Sequence, residues 1–115
     1  MFHLKWTQAA LAEYGRLKAA AEAALSTREM TGATKSSKPE GLFKQVHKAL
    51  QLLAANPRHP GLSTHEFRSL ENPFDKDAKV FEAYAQNRTP GAYRIFWCYG
   101  PGRGEITILA ITPHP

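Results

Sequence analysis

The sequence predicts an α+β domain in which two helices cover one face of a single β-sheet. A short segment of alternating polarity opens the chain, and two alanine- and leucine-rich segments with helical spacing follow it. The remainder contains four short β-favouring segments separated by turn residues. Helices segregated from a run of strands are typical of α+β folds. The chain has 115 residues and no fixed-period repeat, so we expect one domain over residues 1–115.

The first two elements are a strand and a long helix. Residues 2–6, FHLKW, alternate apolar and polar side chains, which is the pattern of a half-buried strand. Thr7 is a candidate helix cap, and apolar residues recur at helical spacing from Gln8 to about Thr27. The small polar residues of 27–39 then predict an exposed loop. We expect the helix to bury one stripe of side chains, formed by Leu11, Tyr14, Leu17, Ala21, Ala24 and Leu25.

A capping box predicts where the second helix begins. Ser37 is followed three residues later by Glu40, a spacing that lets the two side chains satisfy the first free N–H groups of a helix. The helix should continue to about Ala55, because Pro57 lacks an N–H and crowds the turn before it. The two helices would then form an αα-hairpin. The apolar face of the second helix is predicted to consist of Leu42, Phe43, Val46, Ala49, Leu50 and Leu53.

The second half of the chain is predicted to supply the rest of the sheet. Turn residues ENPFDKD separate the first two candidate strands, and the glycine-rich residues 100–104 separate the last two, which predicts an antiparallel hairpin at the C-terminal end. One face of this sheet should be covered by the helices and the other should be free. The candidate strands are THEFRSL at 64–70, KVFEAYA at 79–85, and the segments 93–99 and 106–111.

The register of the last hairpin decides which side chains meet. If Tyr99 lies opposite Glu105, then Arg94 lies opposite Ala110. In that register Arg94 and His114 are on the order of 13 Å apart along the strand, so only a bulge or a different register would bring them close. The predicted face contains Arg94, Phe96, Ile106, Ile108, Thr112 and His114.

Composition narrows the functional classes. The net charge of +5 and the pI of about 9.6 are compatible with a polyanionic partner such as nucleic acid, and equally with solubility alone. The single cysteine, Cys98, cannot form an internal disulfide, which favours a reducing, cytoplasmic location. Neither a secretion signal nor a membrane span is predicted. With one cysteine and no close pairing of histidines, we expect no metal site, and no motif for a cofactor is present.

The chain resembles a known superfamily. The order of elements, together with NPRHPGLSTHEF, VFEAYAQNRTPGAYRIFW and ITILAITPHP, resembles the RelE/ParE toxins of type II toxin–antitoxin systems over nearly the whole sequence. The resemblance implies an mRNA interferase, often acting on the ribosome, and an antitoxin protein that wraps and neutralises it. Some relatives inhibit DNA gyrase and others have no known activity. A gyrase inhibitor and a non-catalytic module that binds RNA or protein therefore stay open as alternatives.

The resemblance also implies roles for individual residues. Arg94, in the Tyr-Arg pair of its strand, matches an arginine that contacts the scissile phosphate. His114 matches a histidine that acts as general acid, and His65 falls where catalytic or substrate-contacting groups occur. Tyr84 lies where many relatives have an arginine, and the sequence ends at Pro115 without the acidic and tyrosine residues that often follow the last histidine. These two departures favour the alternatives.

RNA cleavage without a metal needs three kinds of group. When the 2′-hydroxyl attacks the adjacent phosphorus, a base takes its proton, a cation meets the charge on the phosphoryl oxygens, and an acid protonates the leaving oxygen. Histidine suits either proton role, and the guanidinium fork suits the phosphate. The hypothesis assigns the base to His65 or to Glu66, the phosphate contact to Arg94, and the acid to His114. The candidate substrate-binding residues are Arg68, Lys79 and Tyr84.

Structural roles are the alternative for each of these residues. Arg94 can pair with Glu82 across the sheet, and His65 can be a strand-end residue that is bonded to the backbone. His114 lies next to the terminus, where chains fray. The strand aromatics are expected to be core residues rather than platforms for nucleobases; these are Tyr93, Trp97 and Tyr99.

Overall fold

A five-stranded mixed sheet carries two helices on one of its faces. The structure is a computed structural model and describes residues 1–114. The strand order is β1-β5-β4-β3-β2, with β1 parallel to β5 and all other neighbours antiparallel. The predicted α+β class is confirmed. The elements are β1 (His3–Trp6), α1 (Gln8–Thr31), α2 (Lys38–Ala55), a 3-10 turn (Pro60–Leu62), β2 (His65–Glu66), β3 (Phe81–Tyr84), β4 (Tyr93–Tyr99) and β5 (Glu105–Pro113).

Helix α1 begins where predicted and ends one turn later than predicted. The Thr7 hydroxyl accepts a hydrogen bond from the N–H of Ala10, so the predicted cap is confirmed. The helix continues through Thr31 because the chain stays helical until Gly32, which adopts φ 74° and donates its N–H to the Arg28 carbonyl. Residues 32–37 are therefore the connection between the helices.

The buried stripe of α1 is narrower than predicted. Leu17 and Ala21 are buried as expected, whereas Leu11 and Leu25 are exposed. Ala10 is buried instead, because the helix lies with this side against the sheet. An alanine-rich helix offers several candidate stripes of similar hydrophobicity, so its own sequence does not specify the one that packs.

Helix α2 follows its sequence signals closely. Ser37 and Glu40 form the predicted capping box, with the Glu40 N–H donating to the serine hydroxyl and the Ser37 N–H donating to the glutamate carboxylate (2.8 Å). Arg28 of α1 also donates to the Glu40 carboxylate at 2.9 Å, so the cap joins both helices. The helix ends at Ala55, as predicted. Its buried residues all belong to the predicted face and are Val46, Ala49, Leu50 and Leu53.

The core lies between the helices and the sheet. The helices bury Ala10, Leu17, Val46, Leu50 and Leu53 against the side chains of three central strands. From the sheet, the core receives Ala83, Ile95, Trp97, Ile106, Ile108 and Ile111. Within residues 1–114, neither helix has an apolar stretch long enough to cross a bilayer.

The register of the β4–β5 hairpin differs from the predicted one at the turn and again at a β-bulge. Tyr99 lies opposite Ile106 rather than Glu105, and a further shift between Phe96 and Trp97 places Arg94 opposite Thr112 rather than Ala110. The predicted shared face is therefore wrong in part. Arg94, Phe96 and Thr112 do share a face, but Ile106 and Ile108 lie on the helix side, in the core.

The face of the sheet away from the helices, called the outer face here, is only partly free. The predicted strand 64–70 stops after Glu66, and Phe67 turns onto Phe96 with a ring separation of 4.6 Å. Buried Asn72 holds the following loop by accepting from two N–H groups and donating to the Lys79 carbonyl. Phe96 and Cys98 are consequently buried although they face away from the helices.

The capping box predicts a pH-dependent contribution of Glu40 to stability. Hydrogen bonds from Arg28 and then from the Ser37 N–H hold the pKa of Glu40 at about 2, below its usual 4.5. A carboxyl whose pKa is lowered by folding stabilises the fold fully above the unfolded value, and this contribution is lost as the pH falls through the folded value. We expect E40Q to lower the thermal unfolding midpoint at pH 7, and this difference from the wild type to shrink as the pH falls from 4.5 towards 2.

The matched control is E22Q, which removes an exposed carboxylate from the surface of α1. Its unfolding midpoint should follow that of the wild type across the same pH range. A midpoint difference for E40Q that stays constant from pH 7 to pH 2 would contradict the role of the carboxylate in the cap.

Candidate active site

Four side chains from three neighbouring strands meet on the outer face. His65 of β2 lies opposite Glu82 of β3, and Tyr84 of β3 lies opposite Arg94 of β4. Tyr93 contacts Glu13 of α1 through its hydroxyl, so the next residue, Arg94, faces away from the helices. These residues are called the outer-face cluster: His65, Glu82, Tyr84 and Arg94.

Glu82 is the centre of this cluster. Its side chain is 4% exposed, and Oε1 lies 2.6 Å from Nε2 of His65. The other oxygen, Oε2, lies 3.9 Å from Nε of Arg94, which is an ion pair without a hydrogen bond. Both of these atoms are buried without a hydrogen-bond partner among residues 1–114. Arg94 therefore does pair with Glu82 across the sheet, as the structural alternative predicts, but through charge alone and without a hydrogen bond.

Arg94 is buried and held by the backbone as well as by charge. Its Nη1 donates to the carbonyls of Gln86 (2.8 Å) and Tyr93 (3.3 Å). The guanidinium carbon lies 3.7 Å from the centre of the Tyr84 ring, in a cation–π contact. Within residues 1–114, Nη2 makes no hydrogen bond, and the side chain is 10% exposed. The two N–H groups of Nη2 are thus the donors that remain for an anion.

His65 lies at the rim of the cluster, where its side chain is 47% exposed. Its Nδ1 lies 3.2 Å from the Ser63 carbonyl, and its ring lies edge-on to Tyr84 at 5.7 Å. A carbonyl and a carboxylate both accept hydrogen bonds, so a ring that bonds both at once has two N–H groups or faces a protonated Glu82. The bond to Ser63 agrees with the predicted structural alternative. The contact with Glu82 gives the ring a charged partner as well.

The observed register of β4 and β5 brings His114 closer to Arg94 than the sequence predicted. Its N–H donates to the Ala92 carbonyl at 2.8 Å, which continues the β4–β5 pairing past Pro113. Alternation along the strand assigns His114 to the face of Thr112, the residue opposite Arg94. The offset along the strand is therefore two residues, about 7 Å, instead of four. His114 is exposed.

The other candidate residues are divided between the two faces. Tyr84 joins the cluster through its contact with Arg94. Arg68 is exposed and lies 3.6 Å from Glu66. Glu66, the alternative base, neighbours His65 on its strand and so lies on the helix-side face. Lys79 also lies on that side, where it lines a cavity away from the cluster.

Of two groups that contact Arg94, the Glu82 carboxylate could be predicted from the sequence and the Gln86 carbonyl could not. The Glu82 charge in the middle of a β-favouring segment was a signal, because buried strand positions are rarely charged unless they are paired. The carbonyl of Gln86 left no signal, because backbone acceptors depend on the path of the chain. Among residues 1–114, no three side chains of His, Cys, Asp or Glu are grouped so that they could hold a metal ion.

Solved structures share this fold. A YoeB/ParE toxin from Agrobacterium tumefaciens matches with a TM-score of 0.59 over 97% of this chain and 98% of that chain, at 7% sequence identity. A copper-bound mutant toxin from Helicobacter pylori matches with a TM-score of 0.50 over 99% of this chain and 96% of that chain, at 11% identity. The sequence matches no protein-family profile and no curated protein. The chain shares the fold of these two toxin structures, which agrees with the fold that the sequence resemblance implied.

The position of Glu82 predicts a large effect of E82Q on stability. This variant keeps the shape of the side chain but removes the charge that faces both His65 and buried Arg94. We expect the free energy of unfolding to fall by about 2 kcal/mol, the usual range for a hydrogen bond to a charged group. Urea denaturation measures this, provided that the slope with denaturant stays unchanged.

The matched control is E66Q on the same pair of strands. The Glu66 carboxylate faces exposed Arg68, so its loss should cost at most about 1 kcal/mol. Equal losses for E82Q and E66Q would show that Glu82 does not stabilise the outer-face cluster.

Proposed function

We propose that this protein is a toxin of a type II toxin–antitoxin system and that it cleaves mRNA without a metal, by attack of the 2′-hydroxyl on the adjacent phosphorus. One observation carries the proposal. A buried arginine with two remaining N–H groups lies beside a half-exposed histidine on the outer face of a RelE/ParE-like fold, and a second histidine ends the neighbouring strand. These are the residue types that the three catalytic roles need.

The phosphate contact belongs to Arg94. Its Nη2 donates to a phosphoryl oxygen while Nη1 stays bonded to the two carbonyls, so the guanidinium does not reorganise when charge develops. Tyr84 keeps the guanidinium plane in place from one side. A phosphate held in this way lies beside the exposed rim of the cluster, where His65 is within reach.

The base is His65. In the reactive state the ring is neutral and Nδ1 carries no proton. Nε2–H donates to Glu82, and Nδ1, turned away from the Ser63 carbonyl, takes the proton of the 2′-hydroxyl. The ring that results has two N–H groups, and the carboxylate and the carbonyl are the acceptors that match them. Glu82 thus orients the ring and stabilises the imidazolium. His114 is the acid that protonates the leaving 5′-oxygen from the end of β5.

The partners follow from the same proposal. The substrate is mRNA, either free or on the ribosome, and a cognate antitoxin protein neutralises the toxin in the cytoplasm. The excess of positive charge favours both a polyanionic substrate and an acidic partner. No cofactor has a role in this chemistry.

A second candidate is a toxin that acts by binding, for example to DNA gyrase, without cleaving RNA. The observation that favours it is the burial of Arg94, whose Nε and Nη1 already face protein groups. In addition, the residue packed on its guanidinium is Tyr84, at the position where the resemblance implies a second arginine. In this case the cluster would stabilise the sheet and present a surface.

The proposal is tested by measuring mRNA cleavage by the wild-type protein and by variants of the two histidines. We expect the purified protein to cut mRNA, with or without translating ribosomes, into fragments with 5′-hydroxyl ends, and an excess of EDTA to leave the rate unchanged. H65Q and H114Q should each lower the rate by roughly 10²- to 10⁴-fold, the usual contribution of a general acid or base. R94K should also lower the rate, because a lysine cannot reproduce the fork.

The matched control is H3Q, which changes an exposed histidine on β1, at the opposite edge of the sheet. It should cleave at the wild-type rate. Intact RNA together with arrested DNA supercoiling would contradict the endoribonuclease and support the gyrase inhibitor. Wild-type cleavage by H65Q would remove the base from the mechanism.

A further inference from the structure

The cavity that Lys79 lines is on the helix side of the sheet, at the edge formed by β2 and β3. It has a volume of about 490 Å³ and is called the edge cavity here. Its wall includes three aromatic residues of the sheet, two cationic residues from loops and two hydroxyl-bearing residues before β2. These are Phe81, Trp97, Tyr99, Arg58, Lys79, Ser63 and Thr64.

The charge of the edge cavity favours an anion. Arg58 and Lys79 are exposed, and neither has an acidic partner within 4 Å among residues 1–114. No aspartate or glutamate of the described chain lines the cavity. Two unpaired cations in one concave wall raise the local concentration of anions.

The aromatic wall narrows the kind of anion. Phe81 stacks on Trp97 at 4.8 Å, and Tyr99 stands edge-on to both, at 5.0 Å from Trp97 and 5.9 Å from Phe81. The expectation that Tyr99 is a core residue is wrong, since it is 43% exposed, whereas Trp97 is buried as expected. Trp97 also has a buried indole N–H without an acceptor among residues 1–114. Rings beside unpaired cations are the arrangement that binds single-stranded nucleic acid.

The edge cavity and the outer-face cluster lie on opposite faces of the sheet and meet at the short strand β2, which carries His65. Ser63 lines the cavity, and its carbonyl contacts His65 of the cluster at 3.2 Å. Strand β2 is only two residues long and forms the edge of the sheet, so a flexible chain can pass over it from one face to the other. An RNA strand with one linkage at His65 would thus have its neighbouring nucleotides near the cavity.

We propose that the edge cavity binds a nucleotide of single-stranded RNA close to the cleaved linkage, with its base against Tyr99 and its phosphate between Arg58 and Lys79. The inference rests on the proposed RNA substrate and adds to it a subsite on the opposite face of the sheet. Lys79 then contacts the substrate from the helix side and not from the face of Arg94.

The experiment measures binding without cleavage. A fluorescein-labelled 2′-O-methyl RNA hexamer lacks the attacking hydroxyl, and its fluorescence anisotropy gives Kd at several salt concentrations. We expect R58Q/K79Q to weaken binding about tenfold and to flatten the slope of log K against log salt by about 0.7, the value for one phosphate contact of a single strand. The matched control K18Q/K44Q removes the same charge from exposed helix positions and should keep the slope.

The base contact has its own test. Y99L removes the aromatic face and keeps an apolar side chain, so it should weaken hexamer binding about tenfold. It should leave binding of an abasic 2′-O-methyl chain of the same length unchanged. If Y99L weakened binding of the hexamer and of the abasic chain equally, the contact between the base and Tyr99 would be overturned. Circular dichroism verifies that each variant is folded.

The two proposals fail separately. Hexamer binding that depends on Arg58 and Lys79, together with intact mRNA in the cleavage assay, would sustain the cavity and overturn the catalytic proposal. Cleavage that depends on His65, together with an unchanged salt slope in R58Q/K79Q, would overturn the cavity. Binding of a hexaglutamate peptide that R58Q/K79Q and Y99L weaken as they weaken the hexamer would assign the cavity to an acidic peptide and overturn the RNA subsite.

Discussion

The burial of the Glu82 carboxylate is the constraint on which the outer face depends. A carboxylate that is 4% exposed needs compensation from cations and donors, because desolvation of an isolated charge is far more costly than any single contact returns. The compensation comes from Arg94 on one neighbouring strand and His65 on the other. The guanidinium therefore lies along the sheet, under Tyr84, instead of extending into solvent. A fixed guanidinium loses little conformational entropy when it binds an anion.

The net charge of the cluster depends on His65. With a neutral ring, the charges of Glu82 and Arg94 cancel, and the cluster has little net attraction for a phosphate. With an imidazolium, the cluster has one net positive charge beside the remaining donors of Arg94. In the proposed reaction, proton uptake by His65 coincides with the growth of negative charge on the phosphoryl oxygens, so the field of the site changes in the direction that the transition state needs.

Local signals in the sequence were sufficient for the helix starts and for α2, but insufficient for the end and the buried stripe of α1 and for the pairing of strands. The cap at Ser37 and the end of α2 before Pro57 depend on neighbouring residues, and both were predicted correctly. The β4–β5 register depends on what the core must bury. Ile106, Ile108 and Ile111 all face the helices, a spacing of two and then three residues that a regular strand cannot place on one face. The bulge resolves this conflict.

The uneven spacing of these three isoleucines can be seen in the sequence, but its effect on the distance between Arg94 and His114 cannot. The bulge that turns Ile111 inwards shifts β5 past β4 by one residue, and the register at the turn supplies a second residue. Together they halve the offset between Arg94 and His114. The early end of β2 was less predictable, because it depends on Phe67 finding a partner in Phe96 from a distant strand. The predicted burial of Tyr99 is wrong for a similar reason. An aromatic residue at the end of a strand is buried only if another element covers that end, and here a cavity lies beside it.

The asymmetry of the helix layer explains why an opening exists on the covered face at all. Helix α1 packs over β1 and β5, and the edge at β2 and β3 is bordered by the loop 57–64 instead of a helix. A loop contributes less apolar surface than a helix, so the rings of Phe81 and Tyr99 remain accessible and the cations of the loops stay in solvent. The short β2, which carries His65, borders this opening. Because this edge strand is only two residues long, one polyanionic chain can contact both faces of the sheet at this edge.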